Sequence, residues 1–308
     1  WSTEGCMTSN ITDNAVSCIC THTTPFSILR LPETSQVDLT FAIITYVCLS
    51  ISNVFLIFAV VLESMLLHQN KRCHHSLSRG IKLNIICALL LSHVWFMVAI
   101  SNSNPTVCSL SQFFLHLSYL CAFSWLLVQA IHLLLNGNSI YGGSSGRKVM
   151  AATFAGGYGL PVLISVITVA ATHSQPDSCW LNWDSSNALF ALVIPVLLVI
   201  AVDLAVAVYV LLRTRLWDHD GQKLQEGGGL LGDSTTGKAW KLLILMTGLA
   251  VIWGVGAYFF MPDGNKIPAV TYLFAVLNAI QGVIVVVFNS LLDEEVKQLL
   301  NRSMTIVS

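Results

Sequence analysis

The chain has 308 residues, of which 55% are hydrophobic and only 10% are charged, and its mean hydropathy is +0.71. A soluble globular chain of this length rarely has such a composition, so these figures exclude an ordinary soluble protein and place the chain in a bilayer. The formal net charge of −1 gives no indication of a charged partner, and we expect none that is a nucleic acid.

A segment of 38 residues precedes the first apolar run and is too short to bury a core of its own. We expect it to be the β-type edge of a larger domain. Asn10 begins the sequence Asn-Ile-Thr, an N-glycosylation acceptor that is consistent with a secretory route. Neither an initiator Met nor a signal peptide opens the chain, so we expect a fragment or a processed piece.

Seven long apolar runs follow, each long enough to cross about 30 Å of hydrocarbon as a helix. They lie at 40–62, 83–100, 108–135, 149–171, 188–212, 242–261 and 267–292. None of them alternates polar and apolar residues with period two, so helices fit better than barrel strands. The predicted fold is an all-α bundle of seven transmembrane helices.

The basic residues predict how this bundle is oriented. Every Lys and Arg except Arg30 and Lys266 falls in the tail or in the connections after the first, third and fifth runs. Basic residues accumulate on the cytoplasmic side of membrane proteins. The N-terminus is therefore predicted to lie outside the cell and the C-terminus inside, in the plasma membrane.

The nine cysteines divide according to this topology. Cys108 opens the third run and Cys179 lies in the following outer loop, so a disulfide between them would tether that loop over the outer mouth of the bundle. Cys6, Cys18 and Cys20 form an odd set before the first run, which points to a partner upstream of Trp1.

Two cytoplasmic segments have distinct compositions. Residues 217–237 are polar and rich in Gly, which predicts a flexible loop. Residues 291–303 alternate apolar and charged positions in a way that favours a short amphipathic helix along the inner membrane surface.

The sequence His22-Thr23-Thr24 carries the residue types needed for cleavage of its own backbone. In an extended strand His22 and Thr24 face the same side, so the imidazole would reach the hydroxyl that attacks the carbonyl of Thr23. The alternative is a hydrogen-bonded surface strand with no chemistry, because His-x-Thr is a very common tripeptide.

The wider context resembles the adhesion G-protein-coupled receptors, and subfamily F among them. The resemblance starts in CICTHTTPFSILR at 18–30, which is similar to the proteolysis site of that family's GAIN domain. It continues in ITYVCLSIS (44–52), VWF (94–96), GYGLPVLISVIT (157–168), CWLNW (179–183), LLIL (242–245), WGVG (253–256) and LNAIQG (277–282).

This resemblance implies cleavage between Thr23 and Thr24, after which the two fragments stay associated. It implies a tethered agonist that begins at Thr24 and docks in the outer cavity of the bundle. Within it, Phe26, Leu29 and Arg30 would share one face of a helical turn. The candidate agonist residues are Thr24, Phe26, Ser27, Ile28, Leu29 and Arg30.

An alternative stays open, in which Phe26 and Ile28 pack as the last strand of the upstream domain. The chain also departs from the family, which has Leu at Thr23 and Met at Arg30. We predict a disulfide between Cys6 and Cys20 in this segment. The predicted domains are 1–23 (end of the GAIN domain), 24–38 (agonist and linker), 39–292 (bundle) and 293–308 (amphipathic helix and tail).

The resemblance also implies a switch inside the bundle. Trp253 and Gln281 match positions that couple agonist binding to outward motion of the sixth helix, and Gly254 and Gly256 beside Trp253 lower local helix stability. Phe114, Trp125 and Trp183 are expected to line or cap the same cavity, the alternative being ordinary aromatic packing. The family's Thr-Pro in the sixth helix reads Met246-Thr247 here.

Ionisable residues inside the spans are costly, so Asp203, His93 and His116 each suggest function. A catalytic metal would need these ligands to converge at one depth, and we expect Asp203 to lie deeper than the two histidines. No metal and no cofactor is therefore predicted.

The sequence favours a receptor that couples a tethered agonist to a heterotrimeric G protein. Its other expected partners are its own N-terminal fragment, membrane lipid and an unknown extracellular ligand. A weakly signalling or decoy receptor of the same family is the main alternative, because of Arg30 and the missing Pro. A transporter or a membrane enzyme fits less well, since we find neither internal repeats nor convergent ligands.

Overall fold

A computed structural model describes residues 6–12, 15–21, 36–69, 73–101, 104–137, 146–171, 190–219, 235–256 and 268–307, and everything below concerns these residues. The chain divides into two units, Trp1–Leu39 and Thr40–Ser308.

The first unit contains an antiparallel pair of strands, β1 (Cys6–Thr12) and β2 (Ala15–Cys20). The register places Cys6 opposite Cys20 and shifts between Thr8 and Asn10, where β1 carries one unpaired residue. Residues directly opposite each other in a ladder have their Cα atoms about 4.5–5.5 Å apart, which is within the range that a disulfide spans.

The second unit is built of helices, the first of which begins four residues before it. They are α1 (Gln36–Gln69), α2 (Cys73–Ser101), α3 (Pro105–Gly137), α4 (Gly146–Phe154), α5 (Leu160–Ala171), α6 (Phe190–His219), α7 (Thr235–Gly256), α8 (Pro268–Val286) and α9 (Glu294–Val307). A π-helical turn at Ala155–Gly159 joins α4 to α5 in one span, and another at Val287–Leu291 follows α8.

Six spans in the described part of the chain are long and apolar enough to cross a membrane, and Val276–Leu291 is a shorter apolar helix. The fold class predicted from the sequence is confirmed. We call the end of the bundle at which α1 ends and α2 begins the Arg79 end. The opposite end, at which α3 begins, is the Cys108 end.

Two helices begin seven or more residues earlier than the apolar runs that predicted them. Helix α2 begins at Cys73 instead of near residue 83, and α7 begins at Thr235 instead of near residue 242. The added turns carry Arg79, Lys82 and Lys241, whose charges lowered the local hydropathy. These side chains are accommodated because they find polar partners, which hydropathy does not detect.

Helix α3 lies at the centre of the bundle and the fourth span lies at its edge. Of the residues in the apolar window of each span, 56% are buried in α3 and only 17% in the fourth span. Exposed Leu160, Leu163 and Ile167 cover the outer face of the fourth span, as expected for a helix that faces lipid.

Close backbone packing fixes the fourth span against α3. A Cβ atom added at Gly157 would overlap the indole ring of Trp125, whereas Gly159 has open space at the same position. Trp125 is 1% exposed and therefore has no room to retreat.

We expect Gly157→Ala to destabilise the bundle by about 1–3 kcal/mol, because the α3 side chain or the span itself must shift. The measurement is the thermal unfolding midpoint of the purified chain in detergent. Gly159→Ala is the matched control and should leave the midpoint unchanged or raise it, since Ala is the better helix former. Equal midpoints for the two variants would contradict this account of the packing.

Candidate functional site

An aromatic cluster joins α7 to α3 inside the bundle. The indole of Trp253 on α7 lies edge-on to Tyr119 and Phe123 on α3, with ring centroids 5.8 Å and 5.5 Å apart. Such T-shaped pairs are favoured by the ring quadrupoles and contribute about 0.5–1.5 kcal/mol each beyond area burial. Trp253 is therefore a rigid contact between the two helices.

The local sequence explains this placement. Tyr119 and Phe123 lie four residues apart, so they share one face of α3 and form a slot for the indole. Gly254 follows Trp253 and has nothing within 4 Å of the position its Cβ would take. A side chain would therefore fit at this position, so packing does not require a Gly beside Trp253.

The indole Nε1 of Trp253 is buried and has no hydrogen-bond partner among the described residues. A buried donor without a partner costs about 1–3 kcal/mol. If a ligand or a water accepts a hydrogen bond from Nε1 in one arrangement of α7, that arrangement would therefore be stabilised relative to one in which Nε1 has no partner.

Gln281, the second predicted switch residue, is 2% exposed on α8. Its neighbour Gly282 packs so closely that an added Cβ would overlap Ser52 Oγ and lie 3.0 Å from His93 Cε1. His93 Nδ1 is in turn 3.0 Å from Asn53 Oδ1. Helices α1, α2 and α8 therefore meet at a tight polar contact beside Gln281.

The predicted cavity aromatics separate into two groups. Phe114 stacks on Trp95 of α2 at a centroid distance of 4.7 Å and an interplanar angle of 13°. Trp125 instead contacts the fourth span, with Phe154 at 5.4 Å and Tyr158 at 5.2 Å. These contacts of Trp125 are with the fourth span, and its place in the agonist cavity stays a prediction.

The remaining predicted site residues lie mostly outside the described residues. This applies to His22, Thr23, Thr24, Phe26, Ser27, Ile28, Leu29, Arg30, Cys179 and Trp183. Cys108 is disulfide-bonded, and its bond to Cys179 stays a prediction. The bond between Cys6 and Cys20 also stays a prediction, as does glycosylation of Asn10 in β1.

Asp203 and His116 are buried ionisable side chains within the spans. Asp203 is 0% exposed on α6, and neither carboxylate oxygen has a hydrogen-bond partner among the described residues. His116 on α3 is 3% exposed, and neither ring nitrogen has one. No group of three or more His, Cys, Asp and Glu able to hold a metal occurs in the described part of the chain.

Sequence reasoning missed a cluster of charges at the Arg79 end. The guanidinium of Arg79 on α2 is 3.0 Å from Glu63 Oε2 on α1, 2.7 Å from Asp293 Oδ1 and 2.8 Å from Glu295 Oε2. Lys82 Nζ also pairs with Asp293. We call these five residues the ion cluster, and it ties α1 and α2 to the start of α9.

Asp293 is the central carboxylate of the ion cluster. Desolvation by burial would raise its pKa, but the charges of Lys82 and Arg79 outweigh that effect and hold the pKa well below its ordinary value. Its Oδ1 also accepts a hydrogen bond of 3.1 Å from the backbone N–H of Glu295. Asp293 therefore caps the N-terminus of α9 as well as pairing with the cations.

Two further hydrogen bonds extend this network to the centre of the bundle. Lys241 Nζ on α7 donates to the carbonyl oxygen of Leu292 at 2.7 Å. Gln129 Nε2 on α3 donates to Asn289 Oδ1 at 2.7 Å. Helices α3 and α7 are thereby joined to the turn between α8 and α9.

A cavity of about 220 Å³ opens among these residues. It is lined by Ser78, Arg79, Lys82, Gln129, His132, Leu133, Thr235, Lys238, Lys241, Leu242, Leu245, Phe288, Asn289, Asp293 and Glu295. The residues that line the cavity come from distant parts of the chain, and Arg79 and Asp293 are 214 residues apart. No local sequence motif therefore predicts the cavity.

Comparison with known families now adds to this geometry. Residues 38–285 match the family described as 7 transmembrane receptor (Secretin family), and residues 1–34 match GAIN subdomain B. The chain belongs to the secretin family of seven-transmembrane receptors. The predicted resemblance to adhesion G-protein-coupled receptors of subfamily F is confirmed by the relatives that follow.

All of this receptor chain aligns with adhesion G-protein coupled receptor F1 of Mus musculus at 38% identity, covering 35% of that protein. Adhesion G protein-coupled receptor F5 of Mus musculus is 32% identical over 97% of the chain and 23% of its own length. Adhesion G protein-coupled receptor F4 of Homo sapiens is 29% identical over 99% of the chain and 45% of its own length. The chain thus spans less than half the length of these relatives.

We expect Asp293→Asn to destabilise this receptor chain by about 2 kcal/mol at pH 7, the scale of hydrogen bonds to charged groups. Because the pKa of Asp293 is lowered on folding, its stabilisation is complete above the ordinary pKa of about 3.9 and declines as the pH falls below that value. The difference in free energy of unfolding between Asp293→Asn and the unaltered chain should therefore shrink below about pH 4. Thermal unfolding in detergent at several pH values measures both effects.

Glu294→Gln is the matched control for this prediction. Glu294 pairs with Lys297 at 2.9 Å, but both side chains are more than 40% exposed, at 47% and 43%. An exposed pair of this kind contributes about 0–1 kcal/mol. Equal destabilisation by the two variants would show that the ion cluster does not stabilise the fold through Asp293.

Proposed function

We propose that the chain is an adhesion-type receptor that acts on a heterotrimeric G protein. A tethered agonist that begins at Thr24 activates it. The match of residues 1–34 to the GAIN subdomain supports the agonist, and the match of residues 38–285 supports the receptor bundle. The observation that carries the proposal is the contact of Trp253 with Tyr119 and Phe123.

The proposed orientation follows from the basic residues. The Arg79 end faces the cytoplasm and the Cys108 end faces outward, in the plasma membrane. His22 would serve as the base for cleavage between Thr23 and Thr24. The released N-terminus would then enter the outer cavity with Phe26 and Leu29 as apolar anchors.

Helix α7 connects the two ends of the proposed mechanism. Trp253 lies toward the Cys108 end and Lys241 lies twelve residues earlier, about 18 Å along the helix axis. Displacing Trp253 from its slot on α3 would move a rigid helix that is held at its other end by the Leu292 carbonyl. Breaking that hydrogen bond opens the cytoplasmic cavity to a G protein.

Other partners follow from the same proposal. The N-terminal fragment would stay associated through the GAIN domain, lipid would cover the exposed apolar faces, and an extracellular ligand would act on upstream modules. Gln281 and Phe114 would line the outer cavity, with Trp183 above it.

A weakly signalling or decoy receptor is the second candidate, and a specific observation favours it. Helix α7 runs without interruption through Met246 and Thr247, where Thr247 Oγ1 donates to the Leu243 carbonyl at 2.8 Å. A Pro here would prevent one backbone bond and bend the helix. Its absence makes the outward motion of α7 more costly.

The test of the agonist is second-messenger output from cells that express the chain begun at Thr24. We expect high basal output that is lost in the double variant Phe26→Ala with Leu29→Ala, because both apolar anchors leave the cavity. The matched control is Thr34→Ala with Ser35→Ala, which alters two residues of the linker that follows the candidate agonist residues. Equal output from all three chains at equal surface expression would sink the agonist mechanism, and equally low output would favour the decoy.

A second prediction concerns the inner end of α7. Lys241→Met removes the hydrogen bond to the Leu292 carbonyl, which stabilises the inactive arrangement of α7 by about 1 kcal/mol. Loss of that stabilisation shifts the population toward the active arrangement, so basal second-messenger output of the full chain should rise about fivefold. Lys148→Met is the control, because Lys148 is exposed and lies outside the cavity. Unchanged output from Lys241→Met with normal surface expression contradicts a restraining role for this bond.

A further inference from the structure

Asp203 carries a carboxyl group that the proposed mechanism does not use. It lies on the buried face of α6, and the residues one turn away on each side, Ile200 and Ala207, are 3% and 0% exposed. Asp203 is itself 0% exposed, and neither of its oxygens has a hydrogen-bond partner in the part of the chain that the structure describes. Helix α6 packs against α3 and α7, so these helices exclude water from the carboxyl group.

Among the described residues, no titratable group of the three packed helices is a hydrogen-bond partner of Asp203. These groups are His116, Tyr119, Cys121 and His132 of α3, Lys238 and Lys241 of α7, and Tyr209, Arg213, Arg215, Asp218 and His219 of α6. His132, Lys238 and Lys241 line the cavity at the Arg79 end, and Tyr119 packs on Trp253. His116 shares one face of α3 with Phe123, and neither of its ring nitrogens bonds to a described residue.

Asp293 shows what a buried carboxylate requires in this bundle. It is 7% exposed, and both Arg79 and Lys82 pair with it. Asp203 is more deeply buried and has no such pair among the residues that the structure describes. Burying an isolated ionised carboxylate is far more costly than burying the neutral acid, so a group in this position takes up a proton instead.

We propose that Asp203 holds a proton at neutral pH and that this proton stabilises the arrangement of α3, α6 and α7 described above. The ligand is a single hydrogen ion, and the site is the carboxyl group that the three helices enclose. When the proton leaves, the carboxyl O–H bond breaks and the proton passes to water. Asp203 ionises only where water reaches it, so loss of the proton requires α6 to separate from α3 or from α7.

This proton makes the arrangement of the helices sensitive to pH. An arrangement that admits water to Asp203 releases the proton, whereas the enclosed arrangement retains it. A ligand that binds one arrangement better than another shifts the population toward it, and here the ligand is the proton. Low pH therefore favours the enclosed arrangement, and high pH favours one that admits water. Protonation is measured without a signalling readout, so failure of the tethered agonist leaves this proposal untouched.

Infrared spectroscopy tests the protonation directly. The full chain is purified in dodecyl maltoside, a detergent without a carbonyl group, and its spectrum at pH 7 is compared with that of Asp203→Asn. We expect the unaltered chain to show the carbonyl band of a protonated carboxyl group and Asp203→Asn to lose that band. Glu294→Gln is the matched control, because Glu294 is 47% exposed and paired with Lys297, so its removal should leave the band unchanged.

Thermal unfolding at several pH values tests the coupling between this proton and the fold. Unfolding exposes Asp203 to water, where an aspartate loses its proton above the ordinary pKa of about 3.9. Because the folded chain then binds one proton more than the unfolded chain, its stability falls as the pH rises above about 4. Relative to Asp203→Asn, the unfolding equilibrium constant of the unaltered chain should rise by up to about tenfold per pH unit between about pH 5 and pH 8. The other titratable groups are common to both chains and cancel in this difference.

Two results would overturn the proposal. One is the same protonated-carboxyl band in Asp203→Asn and in the unaltered chain, which would show that Asp203 is ionised and that a group such as His116 carries the proton. The other is a stability difference between the two chains that does not change with pH. If Asp203→Asn fails to fold, Asp203→Leu, which is apolar and of similar volume, gives the same comparison.

Discussion

The pairing of Arg79 with three carboxylates is the constraint on which the Arg79 end of the bundle depends. Arg79 and Glu63 are almost fully buried, with side chains 5% and 0% exposed, so each charge requires the other. Removing one partner of a buried pair leaves an uncompensated charge, which costs about 3–5 kcal/mol. The position of α9 follows from this requirement, because Asp293 and Glu295 at its start complete the neutralisation of Arg79. Apolar contact of Val296 with Leu62 and Leu66 then seats the helix against α1.

Helix α7 is the element that connects the Arg79 end to the interior of the bundle. One of its side chains, Trp253, is held edge-on by two rings of α3, and another, Lys241, donates to the backbone beyond α8. Both are noncovalent contacts, so each can be exchanged for a different partner at a cost of a few kcal/mol. This combination of a rigid helix with two replaceable contacts is what a receptor needs to transmit a change at one end to the other.

Packing between helices is equally specific at the edge of the bundle, where the fourth span lies. Gly157 lets the fourth span approach Trp125 so closely that no side chain fits between them. In hydrocarbon, such close contact replaces the hydrophobic effect as the force that holds helices together. Trp125 therefore contributes to the position of the fourth span.

The sequence by itself determined the seven spans and the family, because runs of about twenty apolar residues and several separate motifs are local properties of the chain. It also indicated Trp253, Gln281 and Phe114, and the structure buries Trp253 and Gln281 and stacks Phe114 on Trp95. It did not indicate that Trp125 faces the fourth span, because helical spacing gives a face but not the neighbour of that face. Only the tertiary structure decided the ion cluster and its cavity. Arg79 and Asp293 are 214 residues apart in the chain, so no local pattern predicts their contact. Their charges also lower the local hydropathy, so a hydropathy pattern predicts the end of a span where the structure has an ion pair.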